Sequence, residues 1–353
     1  PPEAGLPGWS YFAGTHIHPK MTWWEMSKPL HRYHATVGGM LMQGNFVADV
    51  AFYYGSDIPN FAHPKHIREG LGFGYDYDDL NTEVLLTVEE VRNGRIVLPS
   101  GMEYPLLVLP ESERMELPVL EKIAELLQKG ATVLGPKPSR VYGLTDFREQ
   151  EEKLHQLADE IWGKGKAKKV NRQYGAGQII SGSTPREVLS DLGLSPDFQY
   201  QSSFSGEGLD YIHRRTESGD IYFIRNIDSV AVQVEAAFRV SGKQPEFWDA
   251  TNLTMKQAGI FQEKDGHTYL PMTLPAWGSV MVVFQDDLTG NDRYITQVVR
   301  GDEKLFPQRE GPVSYQPYSV VQKGSNGWAF RAEHPGDYQL QWSDGATEKL
   351  TVR

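Results

Sequence analysis

The sequence predicts a multidomain chain, α/β in its first half and all-β in its second. Three observations carry this reading. First, the apolar stretch 106–109, the helical spacing of Leu117, Leu120, Ile123, Ala124 and Leu127, and the apolar stretch 131–134 form a β-α-β unit. Such a unit implies a parallel sheet. Second, beyond about residue 194 short apolar runs (221–225, 230–238, 246–249, 268–272 and 279–284) alternate with Gly, Asn and Asp turns, the spacing of a β-sandwich. Third, the runs 328–333, 338–342 and 349–352 predict a second small β unit over 291–353.

From Thr22 to Gln43, Met26, Leu30, Tyr33, Val37, Met40 and Leu41 recur at helical spacing and leave one face to bury. Thr22 with Glu25 reads as a capping box, Gly44 as the stop, and Pro29 as a bend or a shortening of the first turn. Residues 46–54 (FVADVAFYY) then read as one largely buried strand. A Pro- and Gly-rich loop follows, and a helix begins near Leu80, capped by Asp78 or Asp79. Strands over 95–98 and 106–109 flank the Pro99-Ser100-Gly101 turn. A second long helix covers about 149–162, and the basic run 164–169 reads as a solvated turn. The connection over 194–199 is expected to be open to proteolysis.

The chain has 353 residues and a net charge of −11, which argues against nucleic acid and anionic membranes as partners. No stretch approaches the ~20 apolar residues of a membrane helix. The absence of cysteine excludes disulfides, thiolate metal sites and cysteine nucleophiles together. The chain opens on Pro1 with no signal-peptide pattern, and reads as the C-terminal part of a longer protein.

Candidate chemistry concentrates early. Six of the ten histidines lie before residue 70: His16, His18, His31, His34, His63 and His66. They lack the H-E-x-x-H pattern of a helical zinc site. No G-x-S-x-G elbow is present, and Gly72-Phe73-Gly74 and Gly175-Ala176-Gly177 are turns rather than dinucleotide fingerprints. The segment 14–25 (GTHIHPKMTWWE) sets His16, His18, Trp23, Trp24 and Glu25 just ahead of a helix. Indole faces and fixed hydrogen-bonding groups are what a sugar ring asks for. The same residues also fit plain roles, the indoles as core and Glu25 as a capping carboxylate. In GYDYDDLN (74–81), Asp76, Asp78, Asp79 and Asn81 are oxygen ligands of the kind calcium takes, but the spacing lacks the twelve-residue loop with its terminal Glu; Asp78 or Asp79 equally fits a helix cap.

Several stretches carry a family resemblance: THIHPKMTWWEMSKPL, QGNFVADVAFYYGSDIPN, GYDYDDLNTEVL, GRIVLPSGMEYPLLVLP and KGATVLGPKPSR, and more loosely IYFIRN, FWDATN and LPAWGSVMVVF. Together they resemble the C-terminal half of the α-L-rhamnosidases of glycoside hydrolase family 106. The resemblance implies that 1–45 is the last strand and helix of a (β/α)8 catalytic barrel and 46–193 a glutamine-amidotransferase-like α/β domain. Residues 194–290 would then be a β-sandwich and 291–353 a second small one. It further implies an inverting α-L-rhamnosidase, active-site calcium, a rhamnose-containing glycan as partner, and a periplasmic or secreted parent. A barrel needs ~250 residues, so the acid and base are expected upstream; Glu25 is the one candidate inside the chain, and substrate contacts fall on His16, His18, Trp23, Trp24 and Glu25. Two alternatives remain: a non-catalytic carbohydrate-binding or interaction module, and another exo-glycosidase such as a β-galactosidase relative.

Overall fold

The computed structural model describes residues 17, 19, 21–57, 61–62, 65, 68–143, 145–165, 168–202, 208–289, 292–308, 318–323 and 327–353. The described chain is α/β over its first half and β-rich thereafter.

The first helix starts later than its periodicity suggests. A 3₁₀ turn at Trp24–Ser27 precedes the α-helix Lys28–Leu41, which has Pro29 in its first turn. Proline has no N–H to donate and a fixed φ, so it fits the first turn and sets where the α-helix begins. Thr22 therefore caps nothing, and the Glu25 carboxylate pairs with Lys28 at 2.9 Å on the exposed surface. The helix ends at Leu41 with Met42 as its C-cap, so Gly44 lies two positions beyond the cap instead of forming the stop; its φ is +56°, and a Cβ there would lie 2.0 Å from the Arg215 carbonyl oxygen.

Residues 46–54 are not one strand. Asn45–Phe46 pairs antiparallel with Leu209–Arg215 of the sandwich, and Val50–Tyr53 opens the α/β unit. Its sheet runs in the order 77–80, 50–53, 106–108, 132–134, 177–181, 170–174. All neighbours are parallel except the last pair. Numbered along the chain, the five parallel strands stand 2-1-3-4-5, a doubly wound order. Helices Leu117–Gln128 and Phe147–Trp162 share one buried cluster with Ala51, Tyr53, Leu107 and Val133. Pro185–Asp191 covers the other face through Val188 and Leu189, against Val50, Leu106 and Leu134. Burial on both faces explains why the inner strands 50–53 and 106–108 read as unbroken apolar runs, whereas the edge strands 77–80 and 170–174 carry polar residues.

The sandwich packs a six-stranded antiparallel sheet on a four-stranded one. In the strand Asp220–Asn226, Tyr222 and Ile224 point into the inter-sheet core with Phe238, Val282 and Phe284. The alternate residues Ile221 and Phe223 lie on the outer face, where Tyr33, Val37 and Met40 of the first helix pack on Ile221, Met281 and Val283. The first helix is thus docked on the sandwich, and the Tyr33 hydroxyl bonds Ser279 Oγ at 2.7 Å. Further on, a four-stranded antiparallel sheet (295–300, 303–306, 336–342, 347–352) and the hairpin 318–323/327–332 share a core around Val298, Phe306, Tyr338 and Leu340. That core reaches the sandwich through Ile260.

Candidate functional site at the junction of the α/β unit and the sandwich

The structure does not gather the predicted sugar-binding residues into a described site. His16 and His18 lie outside the described residues. Trp23 and Trp24 are both half-buried, and the Trp24 ring meets that of His31 at 5.8 Å. Glu25 is exposed and tied to Lys28.

Asp76, Asp78 and Asn81 are likewise dispersed. Asp76 accepts from Lys65 Nζ at 2.7 Å, Asp78 accepts from the Tyr104 hydroxyl at 2.7 Å, and Asn81 Oδ1 accepts from Val84 N at 2.8 Å. Asn81, and neither aspartate, caps the short helix Thr82–Leu86, because Tyr77–Leu80 is a strand. Calcium needs six to eight oxygens converging on one point. These three do not fit it, and among the described residues no group of three acidic or imidazole side chains does.

What the structure does bring together is a buried polar chain spanning the two halves. Asp49, within the apolar stretch FVADVAFYY, is 1% exposed, and both its oxygens accept from Arg239 Nη2, at 2.8 and 3.0 Å. The same nitrogen reaches Asp197 at 3.4 Å, while Arg239 Nη1 donates to the Ser195 carbonyl at 2.7 Å. Asp197 also accepts from the Tyr222 hydroxyl at 3.0 Å and faces His213 Nδ1 at 2.9 Å. On the far side of the ring, His213 Nε2 lies 2.8 Å from Asp220, which also accepts from Arg215. An imidazole whose two nitrogens both meet carboxylates must donate from both, so His213 is the imidazolium form. The fully buried ring stacks on Tyr222 at 3.9 Å.

Charge follows geometry here. Burial works to lower the His213 pKa, but Asp197 and Asp220 together hold it above the ordinary imidazole value. Burial also works to raise Asp197 and Asp220; His213, with Arg239 on the first and Arg215 on the second, holds both below the usual carboxylate range. Asp49 stays raised, because burial outweighs Arg239. The junction at 195–198 is therefore not the open connection expected from the sequence. Asp197 N donates to the Gly74 carbonyl at 2.7 Å, and Phe198 is fully buried.

Asp76 sits on the edge of this chain, 2% exposed, and burial pushes its pKa up to about 6 in spite of Lys65. A carboxyl whose folded pKa is raised adds stability that is fully present below its unfolded value and lost as pH rises through about 6. Asp76→Asn should flatten the stability profile between pH 4 and 7 by about 2–3 kcal/mol. Urea unfolding at both ends of that range checks it; an unchanged slope would refute the assignment.

Chemically, the chain holds the two halves together and leaves no reactive group free. A His between two aspartates resembles part of a hydrolytic triad, but Nε2 faces Asp220 where a nucleophile would stand. Asp49, Asp76, Asp197 and Asp220 each carry a cationic partner, so none of the four faces another across an open cleft as glycosidic cleavage requires. Sequence reasoning missed this constellation, although an aspartate inside the apolar run 46–54 was a signal of a buried, partnered charge.

Comparison with known proteins gives this arrangement its context. The profile of glycoside hydrolase family 106, described as alpha-L-rhamnosidase, matches residues 1–262. A protein named "Putative beta-glucuronidase" from Formosa agariphila is 35% identical over 276 residues, covering 78% of this chain and 22% of that protein. The solved rhamnosidase from Novosphingobium sp. PP1Y superposes with a TM-score of 0.69 at 28% identity, covering 82% of this chain and 28% of that one. This chain thus spans about a quarter of the length of either relative, and over that span its fold follows that of the rhamnosidase. With the family profile running from the first helix through most of the sandwich, the chain belongs to glycoside hydrolase family 106, the α-L-rhamnosidases.

Proposed function

We propose that this chain is the C-terminal, non-catalytic portion of an inverting α-L-rhamnosidase acting on rhamnose-bearing plant-type glycans. The observation that carries the reading is the family match over 1–262 together with a coverage of only 28% of the solved rhamnosidase. In this reading 1–45 completes a (β/α)8 barrel contributed from elsewhere in the parent, and 46–193 is an amidotransferase-like domain without its cysteine. Residues 194–290 and 291–353 are then β-sandwich units. The half-buried Trp23 and Trp24, with His16, His18 and Glu25, line the rim of that barrel and meet the sugar.

Catalysis falls to two carboxyl groups outside the chain, an acid and a base roughly 6.5–9.5 Å apart on opposite faces of the ring. Calcium, if the parent binds it, is held by groups outside 74–81. Polymeric glycans are met outside the cytoplasm, which makes the parent periplasmic or secreted. A second reading, a β-glucuronidase, is favoured by the name of the 35% identical relative. The isolated chain should turn over neither an aryl α-L-rhamnoside nor an aryl β-D-glucuronide, while the full-length parent should cleave the first. Steady-state assays of both proteins on both substrates decide it. Turnover by the isolated chain that Glu25→Gln abolishes would place chemistry inside it, and cleavage of the glucuronide alone would favour the second reading.

A further inference from the structure

Two loops run side by side at one end of the sandwich, 227–231 and 275–278, each carrying the chain from one sheet to the other. Asn226, buried between them, ties the two together. Its Nδ2 donates to the Val230 carbonyl at 2.7 Å and to the Pro275 carbonyl at 2.9 Å, and its Oδ1 accepts from Asp228 N at 2.9 Å. Its backbone N–H donates to the Gly278 carbonyl at 2.8 Å. Trp277 N adds a bond to the Asp228 carbonyl at 3.0 Å, and Gly278 N closes the turn on the Pro275 carbonyl at 2.9 Å.

The turn so fixed presents an indole. Trp277 has φ +55° at the third position of the turn, where glycine or asparagine fits and a bulky side chain is strained. It is also 69% exposed, so little packing offsets the strain. Strain of this kind persists only where the surroundings over-determine it, and it collects where a residue serves a ligand. Ile227 and Val230 of the adjoining loop are exposed as well, at 42% and 46%, and extend the apolar surface.

Size and charge select what meets this surface. A stable protein interface takes about 800 Å² from each partner. One indole offers no more than about 250 Å², and its two aliphatic neighbours are more than half covered. The patch has the extent of one or two sugar rings. An anion is disfavoured by the net charge of −11 and by Asp228 in the same loop. A neutral pyranose has a C–H face for the indole and hydroxyls for the Asp228 and Ser229 side chains beside it.

We propose that Trp277, with Ile227 and Val230, is a stacking platform for one neutral pyranose ring of a glycan. It shares no residue with the segment 16–25 and takes no part in hydrolysis. The choice of a sugar rests on the reading of the parent as a glycoside hydrolase, and is independent of which glycosidic bond the parent cleaves.

Saturation-transfer NMR on the 353-residue chain tests this, with methyl α-L-rhamnopyranoside and methyl β-D-galactopyranoside as neutral probes and sodium glucuronate as the charged one. At least one neutral glycoside should receive saturation, most strongly at its ring C–H protons. Trp277→Gly should weaken binding about ten-fold or more, the loss of one aromatic stack, and Trp277→Phe should retain part of it. Glycine relieves the positive φ, so the Trp277→Gly protein should keep or raise its Tm. In the full-length parent the same substitution should leave kcat/KM on an aryl α-L-rhamnoside unchanged, whatever that rate is. The proposal is overturned by no transfer to either neutral glycoside, by transfer to glucuronate alone, or by neutral binding that survives Trp277→Gly. A Tm lowered by several degrees in the chain would show the indole to be structural, and one lowered only in the parent would show it covered by the rest of that protein; either result overturns the platform. A fall in kcat/KM would place Trp277 in the cleavage site and overturn it too.

Discussion

Arg239→Met is expected to lower the unfolding free energy by about 3–5 kcal/mol, the cost of breaking a buried ion pair by removing one partner. Arg239 holds Asp49 of the α/β unit and Asp197 of the junction at once, and both carboxylates are 1% exposed. Without the guanidinium Asp49 is left buried beside Asp197 without its cationic partner. Asp49 is the group that should yield, because burial already raises its pKa, whereas Asp197 keeps His213. A carboxyl with a raised folded pKa stabilises at low pH and stops doing so as pH rises through that value. The variant should therefore recover part of its loss between pH 8 and pH 5. Urea unfolding at the two values measures this, and an equal loss at both would show that Asp49 does not take up the proton.

His213→Ala should cost a similar ~3–5 kcal/mol, read as a lowered melting temperature of the sandwich. It leaves Asp197 and Asp220 short of a shared donor and opens a void against Tyr222. The wild-type pH dependence has two arms. His213, raised, contributes fully below its unfolded value near 6.5 and loses that contribution as pH climbs through its folded one. Asp197 and Asp220, lowered, contribute above their unfolded values and lose it as pH falls through their folded ones. The mutant should lack the alkaline arm. Calorimetry from pH 4 to 10 reads it directly, and an alkaline fall preserved in the mutant would assign that arm to another group.

Much of the fold was legible because local pattern and tertiary role agree. The β-α-β unit at 106–134 was read from apolar strands and one helical stripe, and the sandwich strands at 220–226, 232–238 and 279–287 from period and turns. The start of the first helix went astray because Pro29 outranks the Thr22–Glu25 pattern. Thr184 to Glu187 does form a capping box around Pro185, a signal the sequence carried and the reading passed over. The strand 170–174 was hidden by polar residues on a solvent-facing edge, and 177–181, buried beside it, was too short an apolar run to stand out between Gly177 and Gly182. The junction was least legible. Asp49, Asp197, His213, Asp220 and Arg239 lie in separate strands and turns, and only the three-dimensional path makes them neighbours.

The two-residue strand Asn45–Phe46 has a mechanical consequence. The chain pairs with the sandwich there, leaves to build the α/β unit, and returns at 195–198, where Arg239 N donates to the Asp197 carbonyl at 3.0 Å. The α/β unit is pinned at both its entrance and its exit. A body held by one linker swivels freely, whereas here the two pinned ends are backed by the buried Asp49–Arg239 pair and by the packing of Phe73 on Phe198 and Tyr211. The two halves are thereby tied at several points, and the walls of the cavity between them, at 71–77 and 209–211, keep their spacing. Cutting the chain between Gly44 and Val50 would remove one pin while the ion pair and the Phe73 contacts still hold the α/β unit on the sandwich.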